Sequence, residues 1–144
     1  MAIVFLRVTH NFFMQTIVNI NTRFSEIGYQ PNLGKIAFND LAKSLRSDET
    51  ILNVVEGAIS NTLGVAIATD TRVFYVGVNK HHQPVLEQLI YDDIVGIEVT
   101  KSMFVSVELI VHTKSKKEIR LKGCDPERAA EMVELINLLI RENS

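Results

Sequence analysis

The side chains able to do chemistry are few and scattered along this 144-residue chain. His81 and His82 invite a metal reading, but neighbours on an extended chain point to opposite faces, so the pair alone chelates poorly. Lys80 and Pro84 bracket them as an exposed loop, and neither His10 nor His112 stands at a spacing that helps. Cys124 directly precedes Asp125, and a helix starting there would lower the pKa of the thiol. No sequence-local histidine supports a reactive role, so Cys124 reads as a small, buried, inert residue. A single cysteine also excludes an intramolecular disulfide and a thiolate metal cluster. Asp92-Asp93 and Asp70 are candidate acid–base carboxylates, but that work needs two groups with split pKa values in one cleft. Both segments look like turns, where Asp bonds its own backbone. Arg72 reads as a structural donor beside the second of them. There is no phosphate-cradling glycine loop and no nucleophile elbow. These residues assign no catalytic group, no cofactor and no metal.

Charge gives one further candidate. The net charge is −2, so no global field draws the chain to nucleic acid or an anionic surface. Locally, Lys114, Lys116, Lys117, Arg120 and Lys122 form a basic strip on what reads as the last hairpin. Its functional reading is contact with an anionic lipid or an acidic partner. Its plain reading is that lysines keep a hairpin soluble and blunt an edge. The strip lacks the aromatic residues that stack single-stranded nucleic acid.

The elements that must carry these residues follow from periodicity. The hydrophobic share of 47% and charged share of 22% suit one globular domain with a real core. Residues Ile17, Val18, Ile20, Phe24 and Ile27 fit a strand or a short helix, and Gly28, Pro31 and Gly34 then break the chain. Lys35 to Arg46 reads as a short helix started by Asn39 or Asp40. From Ile51 the pattern becomes strands bounded by turn residues: 51–59, 62–68, 72–78, 85–91, 94–100, 104–113 and 118–123. In the sixth, Val105, Val107, Leu109 and Val111 share one face, while Ser106, Glu108 and His112 share the other. The scattered glycines near strand ends read as turns or bulges. Asp125 caps a final helix, with Pro126 at its first position and an apolar stripe from Ala129 to Ile140. Seven strands in a meander followed by one amphipathic helix predict a barrel closed at one end by that helix.

No apolar run reaches the ~18 residues a membrane span needs. The apolar stretch Ala2 to Leu6 has its charge, Arg7, on the wrong side for a secretory signal. The expectation is therefore a cytoplasmic, non-transmembrane protein, with either Met1 or Met14 as the start of translation.

Gly64 and the segment Thr69-Asp70-Thr71-Arg72, set between two apolar strands, resemble a hallmark of bacterial pleckstrin-homology-like (PH-like) domains of the YokE-like and GRAM-like kind. The acidic lead-in Glu49-Thr50-Ile51-Leu52 and the segment Ile90-Tyr91-Asp92-Asp93-Ile94 are similar to the same family, and the closing helix is in place. The resemblance covers about 46 to 142, roughly two-thirds of the chain. It implies an α+β fold: a PH-like split barrel of about seven antiparallel strands capped by the C-terminal helix. Residues 1–45 would be an N-terminal extension with a lead-in helix, and 46–144 the PH-like domain. The family brings no catalytic residues, and its members mostly bind lipid headgroups, peptides or copies of themselves. The basic patch by which phosphoinositide-binding PH domains resemble one another lies on the first two strands. Here Asn53 to Gly64 contains no lysine or arginine, and phosphate recognition needs such donors.

The function expected is thus a non-enzymatic binding or assembly module that forms a homo-oligomer. Val73-Phe74-Tyr75-Val76 is apolar on both faces, as is Leu109-Ile110-Val111, and such strands need cover on both sides. Either residues 1–45 or another subunit would supply the second cover. The alternative is a peripheral module that binds anionic lipid or an acidic partner through hairpin 114–122.

Overall fold

Residues 17–30, 35–101 and 105–142 are described by the computed structural model. Readings that fall on Ala2 to Gln15, on Pro31 and Gly34, or on Phe104 lie outside these residues. The N-terminal segment is helical. Helix α1 spans Ile17–Glu26 and buries Ile20 and Phe24, four apart on one face. It stops at Gly28, whose φ of 73° is a left-handed conformation that glycine adopts without strain. The Tyr29 amide then donates to Phe24 O and the Gly28 amide to Ser25 O, which satisfies two terminal carbonyls. Tyr29 packs edge-on against Phe24 with ring centroids 5.0 Å apart. Helix α2 spans Lys35–Ser44 and buries Ala37, Leu41 and Ala42. It starts a turn earlier than Asn39 or Asp40, because burial of Ala37 with Leu41 outweighs the cap signal.

Seven antiparallel strands follow: β1 Ile51–Ile59, β2 Thr62–Thr69, β3 Arg72–Val78, β4 Pro84–Ile90, β5 Ile94–Lys101, β6 Val107–Thr113 and β7 Glu118–Cys124. Their spatial order is β4-β3-β2-β1-β7-β6-β5. The two halves of the sheet meet where Ala58 of β1 pairs with Lys122 of β7. Among the described residues no pairing joins β4 to β5, so the barrel is split there and neither strand has a partner on its outer edge. Two boundaries differ from the sequence pattern. Tyr91 leaves β4 for a 3-10 turn, Tyr91–Asp93, and sends its hydroxyl inward to Thr69 O. Strand β6 begins at Val107, the partner of the last β5 residue, Lys101. Val105 therefore has no strand to pair with and sits 86% exposed in a turn, not on the inner face.

Helix α3, Pro126–Glu142, starts as its sequence indicates, with the Asp125 carboxylate accepting from the Arg128 amide at 3.1 Å. Its stripe Ala129, Met132, Ile136 and Leu139 enters the core between the two sheets. A second core lies on the opposite face of β1–β3. There Val54, Val65, Ile67, Phe74 and Val76 pack against Ile20, Phe24, Leu41 and Leu45. The second apolar face of β3 is thus covered within the chain by α1 and α2. Polar contacts fasten the cover: Arg23 Nε donates to Ile51 O at 2.6 Å, and the Tyr29 hydroxyl donates to Glu56 at 2.7 Å. Arg128 of α3 donates to Gly28 O and lies over the Tyr29 ring.

Candidate functional site

The hairpin residues singled out by sequence converge on one carboxylate. Glu49, 3% exposed, accepts from Thr69 Oγ1 at 2.6 Å, Thr71 Oγ1 at 2.9 Å, Arg72 Nε at 2.8 Å and Arg72 Nη2 at 2.9 Å. The Arg46 amide adds a fifth donor. Burial by itself would raise the Glu49 pKa, but the hydrogen bonds from Arg72, Thr69, Thr71 and the Arg46 amide outweigh it and hold the carboxyl at about 2. Arg72 spends its remaining donors on Ser44 O at the end of α2 and on Gln88 of β4, and its guanidinium lies over Phe74. Asp70 is used by its neighbours too: the Thr50 amide donates to Oδ1 at 3.0 Å. The cluster is a knot that joins α2, the lead-in to β1, the β2–β3 turn and β4. Both oxygens of the buried Glu49 carboxylate face other residues of the chain, while Asp70 and Thr71 at the turn are exposed.

Gly64 belongs to a different arrangement. A Cβ there would stand 2.2 Å from Val76 O and 2.6 Å from the Gly77 Cα. Gly57, Gly64 and Gly77 face one another across β1, β2 and β3. This bare row lets the Tyr75 hydroxyl reach Gly57 O and Thr62 O. Burial, with the nearby Glu87 charge as a lesser cause, pushes the Tyr75 phenol to about 12. These glycines serve close approach inside strands, not turns.

The remaining candidates stay apart. His81 lies in an exposed loop where its amide donates to Asn79 Oδ1, and His82 has a φ of 59° in the same loop. Cys124 is buried, donates to Leu121 O at 3.4 Å, and is pushed by burial to about 11. A thiol so placed is not a nucleophile near neutral pH. Asp92 and Asp93 are exposed in the 3-10 turn. Among the described residues no three His, Cys, Asp or Glu side chains are grouped to hold a metal.

The basic hairpin is only partly basic. Arg120 forks between Glu108 at 2.8 Å and Glu118 at 3.0 Å. His112 lies between Glu98 at 3.3 Å and Glu118 at 3.5 Å. These paired charges ring the outward-facing but buried Ile110, which pairs with Glu98 and Arg120 across the strands. Lys114 stands 3.9 Å from Asp92, while Lys116, Lys117 and Lys122 are exposed.

Between the sheets lies an apolar cavity of about 50 Å³, bordered by Tyr75, Leu89, Ile97, Leu109, Met132 and Ile136. Ligand pockets usually run to roughly 300–1,000 Å³ and carry convergent polar groups. This one has neither property.

The order of strands and the closing helix find their counterpart in known proteins. A family model described as bacterial PH domain matches residues 45–138, well over half of the chain. The chain belongs to the bacterial PH domain family. Helices α1 and α2 precede the matched span of this PH domain. In structure it is similar to the pleckstrin homology domain from Shewanella amazonensis, with a TM-score of 0.54 and 16% identity, over 74% of this chain and 99% of that one. It is also similar to the Vps36 N-terminal PH domain, with a TM-score of 0.50 and 17% identity, over 68% of this chain and 83% of that one. At such identities the likeness concerns the fold alone. Among curated proteins, none matches the chain. No helix among the described residues is long and apolar enough to cross a membrane.

Proposed function

We propose that this bacterial PH domain protein is a non-enzymatic binding and assembly module that associates with further copies of itself in the cytoplasm. The observation that carries the proposal is where apolar surface remains. Seven large hydrophobic side chains are exposed among the described residues. Four of them, Leu86, Ile90, Val95 and Val99, lie on β4 and β5, the strands with a free edge. A free edge is a row of unpaired N–H and C=O groups and a template for another strand. Apolar neighbours add to such pairing by leaving water. The outer face of β3 no longer asks for a subunit, since α1 and α2 cover it, so the edges are the better candidates. The small, wholly apolar cavity and the inward-looking Glu49 knot speak against catalysis. Size exclusion with light scattering tests the proposal. A multiple of the 16.2 kDa chain mass, held through about tenfold dilution, is expected. A single-chain mass at every concentration contradicts it.

A second reading is favoured by the exposed Lys114, Lys116 and Lys117 around the β6–β7 turn, which would meet an anionic lipid surface or an acidic partner. It predicts salt-sensitive binding to anionic vesicles that is lost when Lys116, Lys117 and Arg120 are changed to Glu. The pairing of Arg120 with two glutamates counts against it. Binding that survives the three reversals rules it out.

A further inference from the structure

We infer that helix α1 is a lid that opens off the sheet while α2, the barrel and α3 stay folded, and that Arg128 of α3 is its latch. The two cores of the molecule have no residue in common among those described. One lies between the sheets and takes in the stripe of α3. The other joins α1 and α2 to one face of β1–β3. Helix α1 pairs with no strand, so lifting it leaves the sheet ladders whole. Its ten residues are fewer than the ~12–15 that a helix needs to stand alone in water. Once lifted it unwinds, and the chain entropy it regains offsets part of the lost burial of Ile20, Phe24 and Tyr29. Helix α2 is as short but is tied down, because Arg72 binds both Ser44 O, at its last residue, and the buried Glu49.

The hold on α1 is polar. Arg23 Nε donates to Ile51 O at 2.6 Å, and the hydroxyl of Tyr29, just past the helix, donates to Glu56 at 2.7 Å. The Arg128 guanidinium crosses to the same end from α3. It donates to Gly28 O and, at 3.5 Å, to Val54 O, and it stands 5.7 Å from the centre of the Tyr29 ring. One side chain thus grips the turn that ends the lid, the strand beneath it and the aromatic residue that follows. An open cleft of about 400 Å³ borders this grip, walled in part by Gln30, Glu56, Gly123 and Asp125. Hydrogen bonds made at such a place exchange readily for bonds to water, so their net hold is modest. Partial openings of this kind are drawn from the parts of a fold whose loss leaves the main core intact. An open lid bares the outer core, in which Val54, Val65 and Ile67 are wholly buried. The latch on α3 sets how often that apolar face meets water. The lid is independent of the self-association proposed above.

Native-state amide hydrogen exchange of the full-length protein, at one concentration, tests the lid and the latch together. In the parent, amides from Asn21 to Tyr29 should exchange at least about tenfold faster than the slowest amides of β1–β3. Arg128→Ala keeps the backbone amide that Asp125 caps and removes the guanidinium. It should speed the Asn21 to Tyr29 amides a further tenfold or so, the worth of one hydrogen bond from a charged group, and leave β1–β3 unchanged. Tyr29→Phe keeps the ring and drops the bond to Glu56, and should speed the same amides about threefold. Parent α1 amides that exchange in step with β1–β3 overturn the lid. Unchanged α1 exchange in Arg128→Ala overturns the latch. An Arg128→Ala chain that does not fold, or that exchanges faster in α1 and β1–β3 alike, overturns it too, because Arg128 would then support the whole fold.

Discussion

Replacing Glu49 by Gln should cost about as much as any single polar change in this protein. The carboxyl is held at about 2 against an ordinary 4.5. At roughly 1.4 kcal/mol for each tenfold change in proton affinity, that difference is worth about 3 kcal/mol. A second route gives the same size: leaving one partner of a buried ion pair alone costs roughly 3–5 kcal/mol, and Arg72 would be that partner, with its side chain 18% exposed. For a domain this large the loss corresponds to a fall of about 10 °C in Tm. The sign of the pH effect follows from the lowered value. The folded protein binds a proton at Glu49 less readily than the unfolded chain does. The stabilisation is therefore complete above about pH 4.5 and disappears as the pH falls through about 2. Urea unfolding of the parent and Glu49→Gln at pH 7, 4 and 3 would show a gap in stability that is widest at pH 7 and narrows with acid. A gap below about 1 kcal/mol at pH 7, or one that stays constant down to pH 3, refutes the reasoning, because the carboxylate would then not be the charge that holds the knot.

Deleting residues 1–45 should uncover Val54, Val65, Ile67, Phe74 and Val76, now almost wholly buried under α1 and α2; the truncated chain is expected to aggregate, and a soluble, folded product would show that the cover is dispensable. Cys124 should resist thiol reagents at pH 8 in the native protein and react at once in denaturant, since burial keeps it a thiol up to about pH 11; rapid native labelling contradicts this. Gly64→Ala should destabilise by at least about 2 kcal/mol in denaturant unfolding, as a methyl group 2.2 Å from Val76 O must push two strands apart; an unchanged midpoint would mean that the row of glycines is not needed for close approach.

Local chemistry made part of this structure legible. The β2–β3 hairpin was readable because turn residues 69–71 interrupt two apolar runs, and α3 because Asp125 and Pro126 mark its start ahead of a clean stripe. The segment around Ile20 and Phe24 read equally as strand or helix. Its state is decided by packing against a sheet that lies more than 25 residues away in sequence, as Arg23 to Ile51 illustrates. Arg72 was recognisable as a structural donor, and Glu49 as a feature of the lead-in to β1. Their union was not, because 23 residues separate them and only the fold of the hairpin brings them together. The basic strip looked stronger in sequence than it is, since Glu108, on the neighbouring strand, reaches Arg120 across a β6–β7 register that alternation alone does not give. The free edges were invisible for a related reason: which strands end a sheet depends on the pairing of β1 with β7.

Assembly through an edge strand can be seen directly by amide hydrogen exchange of the full-length protein at two concentrations about a hundredfold apart. Edge pairing predicts added protection at the higher concentration confined to amides of β4, Pro84–Ile90, or β5, Ile94–Lys101, and their immediate neighbours. Exchange that is identical at both concentrations, or protection that grows anywhere but along a free edge, contradicts it.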